Sequence, residues 1–296
     1  MSSQNGTAIV APDPTAFYGY IPTKYVTILF LTLFSLSTVL HSGQAIKYRL
    51  WWIFPSIVLG GTLEIIGWVC RLISSNHPLE RMPYILQTTF IVLAPTPLLA
   101  ANFVIIETII RLLGPSYSRI RPKLYTIIFC SSDVISLLVQ GGGGGIAASA
   151  TTSTTENLGA NIVLGGLVFQ TLVIVVYAFC STEFFMRYQK RRPFRGKATG
   201  PNEINHGKLT WNIQLMLYAL LLNTFCLFIR AVYRIIEFAD GWEGKVIHTQ
   251  VLFNVFDGAM ITLAIWTTNF FHPGRLLATK EEDTEMQHIN TNPGTT

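Results

Sequence analysis

Ionisable and amide side chains lie within segments of this sequence that are otherwise apolar. Glu64 and Arg71 are seven residues apart in "LEIIGWVCRL", and Asp133 and Gln140 have the same spacing in "DVISLLVQ". A separation of seven places two side chains on one face of a helix. Because a charge in hydrocarbon is costly, such side chains usually face a bundle interior or a water-filled cavity. The chemistry they offer is ion pairing, hydrogen bonding or the binding of a polar head group.

A third polar stripe and a single carboxylate belong to the same set. Arg230, Arg234 and Glu237 follow one another at spacings of four and three in "IRAVYRIIEF", and Asp257 lies in "FNVFDGAM". Two interpretations stay open. The residues form a structural ion-pair network that fixes helix packing, or they line a polar cavity, open to the outer leaflet, that holds the head group of an amphiphile.

Five consecutive glycines directly follow Gln140. Glycine lets the backbones of membrane helices approach closely, and it also lets a helix end unwind. We therefore expect Gly141, Gly143 and Gly144 to form either a tight helix contact or a flexible lip on the cavity. The plain alternative is a helix that ends at the glycines.

The composition indicates that membrane-spanning helices position these residues. Half of the 296 residues are hydrophobic and 12% are charged, whereas soluble domains carry about a quarter charged residues. A crossing needs roughly 20 apolar residues, and the sequence contains seven such runs. They lie at about 21–42, 51–72, 83–113, 123–147, 160–186, 210–238 and 246–271. The sequence predicts an all-α, polytopic bundle of seven transmembrane helices at 18–274, with an outer tail at 1–17 and a disordered cytosolic tail at 275–296.

The third run is longer than a straight crossing requires. Pro95 and Pro97 lie near its middle, in "LAPTPLLA". Because proline removes a helical N–H donor and bends the helix, we expect a kink or hinge at this position.

Lysines and arginines alternate between the predicted loops. The loops after the first, third and fifth runs are basic, and those after the second, fourth and sixth runs carry few basic residues. Because basic loops tend to stay in the cytosol, we expect the N-terminus outside and the C-terminus in the cytosol. Asn5, in an Asn-Gly-Thr sequon, predicts glycosylation on the outer side. The net charge of +5 is then explained by cytosolic loops, without a nucleic-acid partner.

Several enzyme and cofactor classes find no support in the sequence. None of the six histidines lies in the middle of a crossing, so three metal ligands cannot converge there. The sequence contains neither a GxxxxGK[ST] nor a G-x-S-x-G motif, which mark ATP-binding loops and serine hydrolases. We expect no enzyme activity, no metal and no cofactor, and the oligomeric state is left open.

Seven short stretches, taken in order, resemble one known family. They are "YGYIP" at 18–22, "EIIGWVCR" at 64–71, "LAP" at 93–95, "DVISLLVQGGGG" at 133–144, "RAVYRIIEFADGWEG" at 230–244, "FDGAM" at 256–260 and "HPG" at 272–274. With them the chain is similar to the fungal lipid-translocating exporter family, also called RTA-like for resistance to aminocholesterol. The chain departs from the family at Trp68, where a Tyr is usual, and at Gln250 and Asn254, where a Glu and a Tyr are often seen.

The resemblance implies seven helices and a role in the export or flipping of sphingoid long-chain bases, in resistance to amphiphilic toxins, or in porphyrin traffic. It also implies a transport pathway built from the family's intramembrane polar residues, which match Glu64, Arg71, Asp133, Gln140, Arg230, Arg234, Glu237 and Asp257.

We therefore expect a translocator or exporter of amphiphilic lipids or lipid-like toxic compounds that confers resistance and has no ATPase of its own. Its partners would be membrane lipids or amphiphilic small molecules. The alternative is a seven-helix receptor or sensor of lipid stress that signals through cytosolic loops. We expect it in the plasma membrane, with an internal membrane as the alternative.

Overall fold

The computed structural model describes residues 18–193, 209–241 and 244–277, and these form a bundle of helices without strands. Seven helices are long and apolar enough to cross a membrane. They are α1 (Lys24–Lys47), α2 (Trp51–Asn76), α3 (Arg81–Leu113), α4 (Pro122–Ser149), α5 (Ser153–Gln189), α6 (Trp211–Asp240) and α7 (Gln250–Leu276). The prediction of seven spanning helices is confirmed. The predicted tails, with Asn5, lie outside the described residues apart from 275–277.

These segments form helices because a helix pairs the backbone N–H and C=O groups with one another, and hydrocarbon offers no water to bind them. α1 and α7 run parallel. Thr23 Oγ1 donates to Gln250 Oε1 at 3.0 Å near their starts, and Gln44 Nε2 donates to the Asn269 carbonyl at 3.1 Å near their ends. We call the end of the bundle that carries the start of α1 the N-face, and the end that carries the end of α7 the C-face.

The turn between α4 and α5 is shorter than the sequence suggested. α4 continues through all five glycines to Ser149, and α5 begins at Ser153 rather than near 160. Thr152 caps α5, since its Oγ1 accepts a hydrogen bond from the Thr155 amide at 3.4 Å, and Glu156 lies in the first turn. Both features favour a helix start. The glycines therefore lie inside a helix and not at its end.

Aromatic packing brings α1, α2 and α7 together. The rings of Phe30 and Trp68 stack with centroids 4.5 Å apart. A Cβ on Gly258 would lie 3.0 Å from an atom of each ring, so α7 approaches this stack closely because the position has no side chain. The next residue toward the start of α7, Asp257, is thereby held in the interior of the bundle.

α3 is interrupted at Ala94, which separates the segments Arg81–Leu93 and Pro95–Leu113. Pro95 has no N–H, so it cannot donate to the carbonyl of Ile91 four residues earlier. The interruption lies where the sequence predicts a kink. It leaves the Ile91 carbonyl without its usual helical donor inside a membrane-spanning helix.

Candidate functional site

A buried ion network joins α6 to α7. Asp257 is fully buried and lies in a π-helical segment, Asn254–Ala259, a local widening that is frequent at functional sites. Its carboxylate accepts hydrogen bonds from Arg230 Nε at 2.8 Å and from Arg234 Nε and Nη2 at 2.9 and 2.8 Å. One carboxylate thus holds two guanidinium groups in place.

Two further carboxylates lie beside this pair of arginines. Glu237 accepts from Arg234 Nη1 at 2.7 Å and from the Tyr233 hydroxyl at 3.2 Å. Glu64 of α2 is fully buried and accepts from Trp68 Nε1 at 3.1 Å. No ion pair joins Glu64 to a basic side chain among the described residues.

The break in α3 is part of the same network. Arg230 Nη2 donates to the Ile91 carbonyl at 2.8 Å. This is the acceptor that Pro95 leaves without its usual helical donor. A proline in one helix thus provides a binding position for an arginine of another.

Arg71 lies nearer the N-face, in an aromatic surround. Its Nη2 donates to the Tyr20 hydroxyl at 2.9 Å, its Nη1 is 3.5 Å from Gln87 Oε1, and its guanidinium lies 4.4 Å from the centroid of Phe253. The Tyr18 hydroxyl donates to the same Gln87 oxygen at 2.6 Å. Burial raises the pKa of Tyr18 to about 12, so this hydroxyl stays a donor at neutral pH. The segment before α1 therefore closes over Arg71.

A large cavity opens on the N-face between α3, α4, α5 and α6, with a volume of about 480 Å³. Its lining includes Val92, Val163 and Phe238, which are apolar, and also Arg81 and Glu156. The cavity is therefore partly apolar and partly polar.

A smaller chamber of about 40 Å³ adjoins this cavity, and its wall contains charged side chains among aromatic and apolar ones. Arg71, Arg234 and Glu237 line the chamber, and Tyr84 and Phe238 line both spaces. Together the two spaces place charged side chains beside apolar ones, as an amphiphile with a polar head group and an apolar tail requires.

The glycines divide between the cavity and a helix contact. Gly141 and Gly144 line the large cavity, and a Cβ on either would meet nothing within 4 Å. Gly143 faces α5 instead, where a Cβ would lie 2.8 Å from the carbonyl oxygen of Gly159 and from the amide of Val163. The close approach of α4 and α5 therefore requires glycine at 143 and not at 141 or 144.

A chain of amide side chains connects α4 to α3 next to the cavity. Gln140, which lines the cavity, donates from Nε2 to Gln170 Oε1 at 3.0 Å, and Gln170 Nε2 donates to Thr96 Oγ1 at 2.8 Å. Amide groups satisfy one another in this way without a net charge in the membrane.

Asp133 lies apart from the other predicted residues. It is buried, and neither carboxylate oxygen has a hydrogen-bond partner within the part of the chain that the structure describes. The predicted set thus occupies three places: the network and its chamber, the cavity wall at Gln140, and Asp133 alone. A spacing of seven identifies a helix face but not the helix that covers it.

Sequence reasoning missed several side chains that complete the site. Gln87 and Gln170 are amides inside apolar runs, and the cost of burying a polar group would have identified them. Tyr18 and Tyr20 lie in "YGYIP", a stretch that carried the family resemblance but received no role. Phe253 had no signal, since a phenylalanine in an apolar run is ordinary.

Metal-binding side chains do not cluster in the described ranges, where no group of three or more His, Cys, Asp or Glu could hold an ion. His41 and His272 approach each other toward the C-face with ring centroids 6.2 Å apart. Two such ligands are fewer than the four of a structural zinc site or the three of a catalytic one.

Comparison with known proteins adds to this geometry. A family model described as "RTA1 like protein" matches residues 57–280. The sphingoid long-chain base transporter RSB1 of Saccharomyces cerevisiae strain Lalvin EC1118 is 23% identical over 287 residues, covering 89% of this chain and 75% of the relative. Protein RTA1 of S. cerevisiae is 26% identical over 281 residues (86% and 84%), and protein RTM1 of the same species is 27% identical over 212 residues (71% and 64%). No solved structure matches the chain significantly.

Proposed function

The chain belongs to the RTA1-like protein family, and we propose that it translocates or exports amphiphilic lipids or lipid-like toxic compounds of the sphingoid long-chain base type. As an integral, multi-pass membrane protein it has seven helices that could hold such a pathway. The resistance suggested by the family resemblance would follow from removal of the toxic amphiphile.

The observation that carries the proposal is the large N-face cavity with its adjoining chamber, which Arg71, Arg234 and Glu237 line. In this account the tail of the amphiphile occupies the apolar part of the cavity, beside Val92 and Val163. The head group reaches the chamber lined by Arg71 and Glu237. Glu156 on the cavity wall and Glu237 in the chamber are carboxylates that a cationic amine could approach.

The ion network would act as the fixed floor of this pathway. Asp257, Arg230 and Arg234 hold one another through three hydrogen bonds and do so in the interior of the bundle. Such an arrangement favours a rigid base on which the chamber is built. The proposal combines the two interpretations of the polar residues: the network would be structural, and its members Arg234 and Glu237 would present polar groups to the chamber that they line.

Transport without an ATPase of its own is part of the proposal, because the sequence has no GxxxxGK[ST] motif. Movement of the lipid would then be downhill along its own gradient or coupled to protons.

We further propose that the N-face lies outside and the C-face in the cytosol, with the plasma membrane as the site. The loops of the C-face carry Arg119, Arg121, Lys190 and Arg191, and basic loops tend to stay in the cytosol. A cysteine introduced at exposed Glu80, on the N-face, should react with an impermeant maleimide in intact cells. Labelling of a cysteine at Arg121 instead would reverse the orientation.

The direct test of function is flipping in a defined system. Proteoliposomes that contain only the purified chain, without ATP, should flip a fluorescently labelled sphingoid base faster than empty vesicles. A rate equal to that of empty vesicles, with folded protein, would contradict the proposal. That result would favour a sensor, which needs a cytosolic partner to act.

A further inference from the structure

Arg71 is a buried guanidinium that lacks an acidic partner in the described ranges. Its relative exposure is 1%, and none of the ion pairs within those ranges includes it. Arg230 and Arg234, by contrast, are both paired with Asp257. A buried charge without a counterion is costly. Arg71 carries this cost, whereas the other two arginines are offset by Asp257.

The groups around Arg71 compensate its charge only in part. The rings of Phe253, Tyr18 and Tyr20 lie 4.4, 5.5 and 5.7 Å from the guanidinium carbon, which gives favourable cation–π contact. The guanidinium has five N–H donors. One nitrogen reaches Tyr20 at 2.9 Å and another reaches Gln87 at 3.5 Å, whereas Nε is buried with no hydrogen-bond partner in the described ranges.

The chamber that Arg71 lines is of the right size for a compact group. The chamber lined by Arg71 has a volume of about 40 Å³. A single water needs only about 10–15 Å³ measured as space for its centre, so the chamber can hold a cluster of a few oxygen atoms. Tyr84 and Thr88 belong to both the chamber and the large cavity, so a group in the chamber can remain attached to a tail in the cavity.

We propose that Arg71 and its chamber form a binding site for an anionic oxygen group, a phosphate monoester above all, on the head of an amphiphile in the large cavity. Guanidinium binds phosphate through parallel, charge-assisted hydrogen bonds. The proposal rests on the proposed function and refines its substrate class. The amphiphile that fits the whole site carries an anion at Arg71, with or without an amine near Glu237. Free phosphate offers the same chemistry without a tail.

The test measures binding rather than transport, so that its failure is separate from failure of the proposed function. The full chain is purified in maltoside micelles, which contain no phosphate. Dodecyl phosphate, dodecylamine and dodecanol are titrated at pH 7, together with inorganic phosphate, and tryptophan fluorescence is recorded. Trp68 is a suitable reporter, because its ring lies 5.8 Å from the Arg71 guanidinium.

We expect dodecyl phosphate to bind about 10- to 100-fold more tightly than dodecylamine or dodecanol, the range given by one charge-assisted hydrogen bond. If inorganic phosphate competes at concentrations similar to those of dodecyl phosphate, the site binds the free anion. Weak competition would assign it to a lipid head group with its tail. Equal binding of the phosphate and the amine by the wild-type chain would overturn the proposal without any variant.

Substitutions then locate the site. Arg71→Gln should remove the preference for phosphate, and Arg71→Lys should retain part of it, because lysine keeps the charge but not the paired donors. Arg121→Gln, at an exposed arginine of the C-face, is the matched control and should bind as the wild type does. A preference that survives in folded Arg71→Gln protein would place the anion elsewhere and overturn the proposal. Flipping of a sphingoid base by the wild type without any phosphate preference would leave the proposed function standing and remove this inference alone.

Discussion

Two buried aspartates of this chain have opposite surroundings. Asp257 accepts hydrogen bonds from two arginines, whereas the oxygens of Asp133 have no partner in the described part of the chain. Both were predicted as pathway residues for the same reason, the cost of a carboxylate in hydrocarbon. That cost could be recognised from the sequence, but the hydrogen-bond partners could not, because they come from other helices.

Asp257→Asn should strongly destabilise the protein. Removal of one partner leaves Arg230 and Arg234 buried with less negative charge, a change that costs about 3–5 kcal/mol in buried ion pairs. The thermal unfolding midpoint of the purified chain in micelles should fall clearly, and flipping should be lost with it.

Asp133→Asn is the matched control, since it makes the same chemical change in another helix. Asp133 has no hydrogen bond to lose to a described residue, so we expect a change within about 1 kcal/mol. Equal loss of stability in the two variants would contradict the distinction between a network residue and an isolated one.

At the scale of helices, the glycine run of α4 has positions with different requirements. A Cβ at Gly143 would lie 2.8 Å from backbone atoms of α5, whereas at Gly142 it would meet nothing within 4 Å. Gly143→Ala should therefore separate α4 from α5 and lower the unfolding midpoint. Gly142→Ala should leave it unchanged or raise it, because alanine stabilises a helix by roughly 0.5–1 kcal/mol relative to glycine. If the two variants unfold alike, the close contact at 143 is wrong.

The interruption of α3 gives a second prediction at this scale. Pro95 frees the Ile91 carbonyl that accepts from Arg230, so the two residues should be energetically coupled. A double-mutant cycle of Pro95→Ala and Arg230→Lys should show a coupling of at least about 0.5 kcal/mol in the free energy of unfolding. The same cycle with Pro97→Ala should be additive, because Pro97 leaves the Leu93 carbonyl, and not that of Ile91, without a helical donor. Additivity in both cycles would show that the proline does not serve the arginine.

The helices themselves were largely predictable, and their contacts were not. Apolar length fixes a membrane-spanning helix, so all seven were found from the sequence, whereas the start of α5 was missed because its first turn is polar. Gly143 could not be distinguished from Gly142 or Gly144, since only the position of α5 separates them. The aromatic surround of Arg71 comes from the segment before α1 and from α7, far apart in sequence.

In the bundle as a whole, the proposed pathway runs through the large cavity and its adjoining chamber. The large cavity lies between α3, α4, α5 and α6, and the adjoining chamber shares Tyr84, Thr88 and Phe238 with it. Neither space belongs to a single helix, so no local pattern in the sequence could have shown it. If an amphiphile crosses the membrane by this route, filling the cavity should stop it even when the helices are intact.

Two adjacent glycines of α4 allow passage through the cavity to be tested in the flipping assay. Gly144 lines the cavity and Gly145 does not, and a Cβ at either would meet nothing within 4 Å. In proteoliposomes with purified chain and no ATP, Gly144→Phe should slow flipping of the labelled sphingoid base roughly tenfold or more, an increase of about 1.4 kcal/mol in the barrier. Gly145→Phe should flip at the wild-type rate. Equal rates for Gly144→Phe and wild type, with both proteins folded, would contradict passage through the cavity.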